Sequence, residues 1–189
     1  MIVEEFRFLT TNDVGNDLFN DGSAWSRYYE YEMVLERMSF LNSGSLIHNT
    51  SWGGSLPIHT IFKNALDNRF SDCLHTDIRN SEYPNTKYYD ITEKPKEEWL
   101  EKFDCVLNIS TLEEVEGDHR DIFKNLYSQV KKGGKIICTF DYPGLQINNM
   151  EKMLEVTIKR SGELLTGNNS IVKNGKYAHL NCGILVVRK

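Results

Sequence analysis

Residues 46–66 read LIHNTSWGGSLPIHTIFKNAL. A short apolar strand, Leu46 and Ile47, runs into a loop of Asn49, Thr50, Ser51, Trp52, Gly53, Gly54 and Ser55, and a helix follows from Pro57. Ser55 suits a helix cap and Pro57 a first helical turn, where a missing N–H costs nothing. The two glycines carry no Cβ, so the chain can turn tightly there and a ligand can approach its backbone. A strand, a glycine turn and a helix in this order put helix-start N–H groups at the C-terminal edge of a sheet, which is where open α/β folds bind ligands.

On the N-terminal side, Tyr28, Tyr31, Val34, Leu35, Met38 and Leu41 recur at helical spacing. Arg27, Glu30, Glu32, Glu36 and Arg37 fall mostly between them, so an amphipathic helix is expected over 23–41. Residues 10–22 read as loop, and 1–44 as an N-terminal helical extension of a single domain spanning 1–189. Phe19, Trp25, Tyr28, Tyr29 and Tyr31 gather at that junction, either as packing or as a lid over a pocket.

On the C-terminal side, 73–77 and 87–91 read as strands, each running to an acid, Asp77 or Asp90. A helix is expected over 96–101, and the nearly continuous apolar run 103–109 suits a strand buried in a parallel sheet. Asp118 can cap a helix carrying Ile122, Phe123, Leu126 and Val130, Gly133 and Gly134 would stop it, and 135–140 is the next strand. A helix over 146–154, a possible strand at 163–165 and a strand over 183–187 complete the chain. Alternation of this kind predicts an α/β, Rossmann-like, doubly wound and mostly parallel sheet, with helices on both faces and an antiparallel C-terminal strand.

Composition narrows the function. A formal charge of -5 argues against a dedicated nucleic-acid binder, which needs a clustered positive field. Lys131, Lys132 and Lys135 flank the glycine pair and read as a solvated turn. The four cysteines, Cys73, Cys105, Cys138 and Cys182, show no CxxC spacing, and three sit in apolar stretches as small buried hydrophobes. His48, His59, His75 and His179 show no ligand spacing, and no metal site is expected. With no leader pattern and no stretch of membrane-spanning length, a cytoplasmic protein acting on a small molecule is expected, with no nucleic-acid or membrane partner.

Polar residues close successive strands: Asn49 or His48, then Asp77, then Asp90. In a doubly wound sheet those ends share one crevice, and Asp77 follows the glycine pair by about twenty residues, the separation at which an acid meets ribose hydroxyls in dinucleotide folds. Each acid could equally terminate a strand or cap a helix. A pyrophosphate cofactor needs free N–H groups at the helix start, which Gly53-Gly54 followed by a proline supplies poorly.

The chain here resembles the class I S-adenosylmethionine-dependent methyltransferases over about 46–143. The loop 49–55 is similar to their glycine-rich first motif, Asp77 to the ribose-binding acid, and Asp90-Ile91 to the adenine-contacting pair. FDCVLNISTLEE at 103–114 resembles FDxVxxxxxLEH, and QVKKGGKIICT at 129–139 resembles LKPGGxLxxx. The first motif departs from the family: HNTSWGGS places Asn49 on the usual acid in one register and His48 in another, and Glu114 stands where the family has histidine. The resemblance implies S-adenosylmethionine as cofactor, held by Asn49, Trp52, Gly53, Gly54, Asp77, Asp90, Ile91 and Asn108.

Methyl transfer from a sulfonium is an in-line displacement that needs a general base only for a protonated acceptor. Glu113, Glu114 and His119 are the titratable candidates at the end of the 103–109 strand, although His119 also suits a surface turn at Gly117-Asp118. The expected function is methyl transfer to a small polar acceptor, a sugar or a metabolite. The alternative is a non-catalytic binding or interaction module on the same fold, motivated by the altered first motif.

Overall fold

The computed structural model describes residues 1–10, 13, 17–19, 27–51, 57–79, 85–158 and 181–189. Its centre is β5 (Phe103–Ile109), in which every residue but Asp104 is buried, as an apolar run covered on both faces must be. The first four strands of the chain are β1 (Ile2–Phe8), β2 (Leu46–Asn49), β3 (Asp72–Asp77) and β4 (Thr86–Tyr88); β6 (Val130–Tyr142) and β7 (Asn181–Arg188) follow β5. β5 pairs in parallel with β2 on one side and with β6 on the other. The described sheet has seven strands in the order β1-β7-β6-β5-β2-β3-β4. Only β7 runs against its neighbours, pairing antiparallel with both β6 and β1.

Alternate side chains of the central strands serve opposite faces. Ile137, Leu107, Ile47 and Ile184 pack with α1 (Arg27–Arg37) and α2 (Pro57–Arg69), whereas Ile136, Cys138, Val106 and Leu185 pack with α3 (His119–Ser128) and α4 (Ile147–Leu154). The doubly wound sheet with an antiparallel C-terminal strand is therefore the fold observed. Among the described residues no helix is long and apolar enough to cross a membrane.

Several elements differ from the sequence expectation. Within the N-terminal stretch expected to be helical, Ile2–Phe8 is an edge strand: Phe6 and Phe8 alternate with Glu5 and Arg7, a period of two rather than 3.6. α1 starts at Arg27, and Arg27 and Glu30 lie on its buried side together with Tyr31, Val34 and Met38. The expected helix over 96–101 is a 3₁₀ turn, Glu97–Trp99. α3 ends at Ser128, so Gly133 and Gly134 do not stop it; they lie inside β6, at a register shift opposite Asp104. A Cβ on Gly134 would stand 2.6 Å from the Asp104 carbonyl oxygen, and Gly133 has φ +83°, so this bulge requires glycine at both positions. The neighbouring lysines pair with acids, Lys131 with Asp104 and Lys135 with Glu4. The possible strand at 163–165, Trp25 and His179 lie outside the described residues.

Candidate active site

The chain moves from β2 through β3 to β4 in one direction, then returns to β5 and proceeds to β6 in the other. The C-terminal ends of β2 and β5 therefore lie at the point where the order reverses, the place at which a doubly wound sheet forms a crevice. Short polar side chains tie the two loops together. The Thr50 N–H and hydroxyl both donate to the Leu107 carbonyl, at 2.9 and 2.8 Å, and the Ile109 N–H donates to Ser51 Oγ at 2.6 Å. Asn108 Nδ2 donates to Thr50 Oγ1 at 3.1 Å, while its Oδ1 accepts the Leu112 N–H at 3.0 Å.

The crevice has two lobes. One, of about 310 Å³, is lined by Thr50, Tyr89, Asp90, Ile91, Thr92 and Glu116. The other, of about 390 Å³, is lined by Arg27, Tyr31, Ser51, His59, Arg79 and Ser110. Asp77, Ile78, Thr111, Glu114 and Val115 border both lobes. The Asp77 carboxylate accepts the Arg79 N–H at 2.8 Å, and Asp90 accepts both the N–H and the hydroxyl of Thr92, at 2.9 and 2.7 Å. A carboxylate offers about four acceptor positions, so each can accept further hydroxyl or amino donors.

The wall of the larger lobe is a buried polar network. Arg27 Nη1 meets Glu30 Oε2 at 2.6 Å, and the same oxygen accepts the Ser110 hydroxyl at 2.8 Å and the Thr139 hydroxyl at 2.6 Å. Burial is the largest single influence and works against the Arg27 charge, but the Glu30 carboxylate, with Tyr31, Cys182 and Glu113 adding to it, raises the guanidinium above its ordinary range. Ser110 adopts φ +40°, a conformation uncommon outside glycine, at the point where β5 opens into the crevice. The Tyr31 hydroxyl forms a hydrogen bond with His59 Nδ1 across α1 and α2, and burial pushes the phenol up.

Of the residues expected at the site, Asp77, Asp90, Ile91 and Glu114 line the crevice. Among the described residues, Asn49, Asn108, Glu113 and His119 are not in its lining. Asn49 is 1% exposed and donates from Nδ2 to His75 Nδ1 at 3.3 Å. His48, its alternative in the first motif, is a core residue: Nδ1–H donates to Gln129 Oε1 at 2.7 Å and Nε2 accepts the Thr76 hydroxyl at 3.0 Å. Asn108 has both ends of its amide engaged between the loops. Glu113 is buried behind β6, where Oε1 accepts the Asp141 N–H at 2.8 Å. Burial drives its carboxyl well above the usual range, with Asp141 and Glu30 adding to the shift. His119 bridges two segments: Nε2–H donates to the Val115 carbonyl and Nδ1 accepts the Gln146 N–H, both at 3.1 Å. Neither ring nitrogen is left to take a proton from a substrate. Trp52, Gly53 and Gly54 lie outside the described residues.

Sequence reasoning missed Arg27, Tyr31, His59 and Ser110 as a group. A signal was present, because Arg27, Glu30, Tyr31 and Val34 follow the i, i+3, i+4, i+7 spacing of a single helical face.

No protein-family model and no curated protein sequence matches the chain. Solved structures share its fold. The N-methyltransferase NodS from Bradyrhizobium japonicum WM9, in complex with S-adenosyl-L-homocysteine, superposes with a TM-score of 0.53 at 13% identity, covering 84% of this chain and 85% of that one. The trans-methyltransferase CalH, also in complex with S-adenosylhomocysteine, gives 0.54 at 15% identity, covering 89% of this chain and 57% of CalH. The [4+2]-cyclase SpnF gives 0.53 at 13% identity, covering 100% of this chain and 87% of SpnF. The fold is that of the class I S-adenosylmethionine-dependent methyltransferases.

Proposed function

We propose that the crevice binds S-adenosylmethionine and that the protein transfers its methyl group to a small polar acceptor. The observation that carries this reading is the two-lobed crevice at the strand-order reversal, with Asp77 on the wall common to both lobes. The donor set fits the cofactor. Asp77 offers carboxylate oxygens for ribose hydroxyls, Asp90 an acceptor for an adenine amino group, and Ile78, Ile91 and Val115 apolar surface for the base. The smaller lobe gathers Asp77, Asp90, Glu114 and Glu116, a set of negative charges that disfavours a pyrophosphate and suits a cofactor without one. Arg27 and Arg79, in the other lobe, are cations suited to a carboxylate at the amino-acid end. Trp52, Gly53 and Gly54 belong to the proposal on sequence grounds alone.

When bound, the cofactor supplies an electrophilic methyl group on a sulfonium. The chain's part is to hold an acceptor in line with it and to keep water away. The acceptor belongs in the larger lobe, among Ser110, Thr111, Tyr31 and His59, whose hydroxyl and imidazole groups suit a polar molecule. Glu114 is the one of the three expected titratable residues that faces this space, and it takes the proton from an acceptor that carries one.

The test is formation of S-adenosylhomocysteine from S-adenosylmethionine with pooled small alcohols, sugars and amines. Product should appear only when acceptor is present and should fall in Glu114→Gln. A second reading is a binding module or a non-methylating catalyst on this fold. It is favoured by the engagement of His119 and Glu113 in structural hydrogen bonds and by the cyclase that shares the fold. Cofactor binding without product from any acceptor pool would support it.

A further inference from the structure

We propose that Asp67, Cys73 and His75 form a binding site for a divalent cation of borderline softness, with zinc as the fitting ion. Asp67 lies in the last turn of α2, while Cys73 and His75 are two apart in β3 and so share a face of the sheet. The turn from α2 into β3 folds the helix end back over that face. One donor atom from each residue, a carboxylate oxygen, a thiol sulfur and an imidazole nitrogen, lies within 4.8 Å of the other two. This convergence departs from the sequence expectation of no metal site, because the turn creates it and no ligand spacing announces it.

The donor set selects the ion. Sulfur with imidazole and carboxylate suits Zn²⁺, whereas Mg²⁺ and Ca²⁺ favour oxygen alone. Three protein ligands leave one tetrahedral position, and the 38% exposure of the Asp67 side chain opens that position to solvent. Asp67 Oδ1 is held 2.8 Å from His75 Nε2, while Lys63 pairs with Oδ2. The aspartate would therefore ligate through Oδ1 alone and keep its lysine. The ion with one thiolate and one carboxylate is formally neutral.

A second observation lies behind the histidine. Asn49 donates from Nδ2 to His75 Nδ1, and its buried Oδ1 has no hydrogen-bond partner. Metal at Nε2 requires the histidine proton on Nδ1, and a half-turn of the Asn49 amide brings Oδ1 round to accept it. That is the outer partner a ligating histidine ordinarily has. The proton balance closes: the imidazole stays neutral as its proton moves from Nε2 to Nδ1, and the Cys73 thiol releases one proton as the sulfur–metal bond forms.

The experiment is a Co²⁺ titration of the chelator-stripped full chain, followed by displacement with Zn²⁺. One Co²⁺ per chain should bind with a thiolate-to-metal charge-transfer band in the near ultraviolet and with tetrahedral visible bands, and Zn²⁺ should abolish both. Cys73→Ser should remove the charge-transfer band with its far-ultraviolet circular dichroism unchanged. Asp67→Asn, at a partly exposed position, should weaken Co²⁺ binding by about tenfold. Absence of the band in the wild-type protein, or its persistence in Cys73→Ser through another cysteine, would overturn the proposal and leave Asp67 and His75 as a hydrogen-bonded pair. Neither readout depends on the crevice binding a cofactor.

Discussion

Glu30 has no exposed surface, and Arg27 and the Ser110 and Thr139 hydroxyls, all pointing at one of its oxygens, help to hold its charge there. Removing Arg27 takes its cation away from a buried carboxylate. Arg27→Ala should therefore cost about 3 kcal/mol in urea unfolding, near the low end for breaking a buried pair, and Glu30→Gln in the same chain should restore part of the loss. Equal stability of wild type and Arg27→Ala would show that the network holds nothing together. His48 couples the stability of the fold to pH. Burial lowers its pKa from 6.5 to about 3, against a smaller opposing effect of the Gln129 hydrogen bond. The unfolded chain takes up a proton near pH 6.5 and the folded chain does not until about pH 3. The stability contributed is complete above that window and is lost as pH falls through it, at up to about 1.4 kcal/mol per pH unit. Burial lowers His75 in the same direction. Unfolding free energy followed from pH 7 to pH 4 should decline, and His48→Asn should flatten the decline by about one proton's share. Identical slopes would contradict the buried neutral imidazole.

At the scale of elements, the strands that place the crevice were the most legible part of the sequence. The nearly continuous apolar run of β5 identifies itself as a buried strand, and Asp77 ends β3 where the sequence placed an acid. Asp118 is seen accepting the Arg120 N–H at 2.9 Å, the cap its position before α3 suggests. β1 was not legible in the same way: its two buried phenylalanines are interleaved with charges that pair across the sheet edge, Glu5 with Arg37 and Arg7 with Asp13. The glycine pair of β6 misled because a helix stop and a strand bulge both use glycine, and only the nearby Asp104 carbonyl distinguishes them. Gly183 tests the strand packing itself. A Cβ there would stand 2.3 Å from the Phe140 ring, between the two antiparallel partners of β7. Gly183→Val should destabilise the protein by about 1 to 3 kcal/mol or more, as overpacking does, and thermal denaturation will register it. An unchanged melting temperature would show that the ring moves aside freely.

Across the whole molecule, residues far apart in sequence become one crevice because the strand order reverses between β2 and β5. The alternation of strands and helices brings Asp77, Asp90 and Glu114 to one edge of the sheet, and so they could be anticipated, whereas Ile91 was expected from the family resemblance. The wall supplied by α1 was legible only in part: the spacing of Arg27, Glu30 and Tyr31 marks one helical face and the aromatic group there was open to a lid, but nothing local says that this face turns to the crevice. Asn49, Asn108 and His119 stood at plausible positions in the chain, but the fold uses their hydrogen bonds to join β2 to β3, to fix the loops after β2 and β5, and to hold the start of α4. Asp90→Ala should weaken S-adenosylhomocysteine binding less than loss of Asp77 and should narrow the preference for adenosine over inosine analogues; an unchanged preference would remove Asp90 from the base-recognising position. The Asp77 wall is proposed to hold the cofactor's sugar, and calorimetric titration of S-adenosylhomocysteine into wild type and Asp77→Ala measures whether it does. Binding by the wild type and a loss of about 1 to 3 kcal/mol in a folded Asp77→Ala is the result expected when hydrogen-bonding groups lose a buried partner. No binding by the wild type at millimolar ligand, or equal affinity in both proteins, would contradict it.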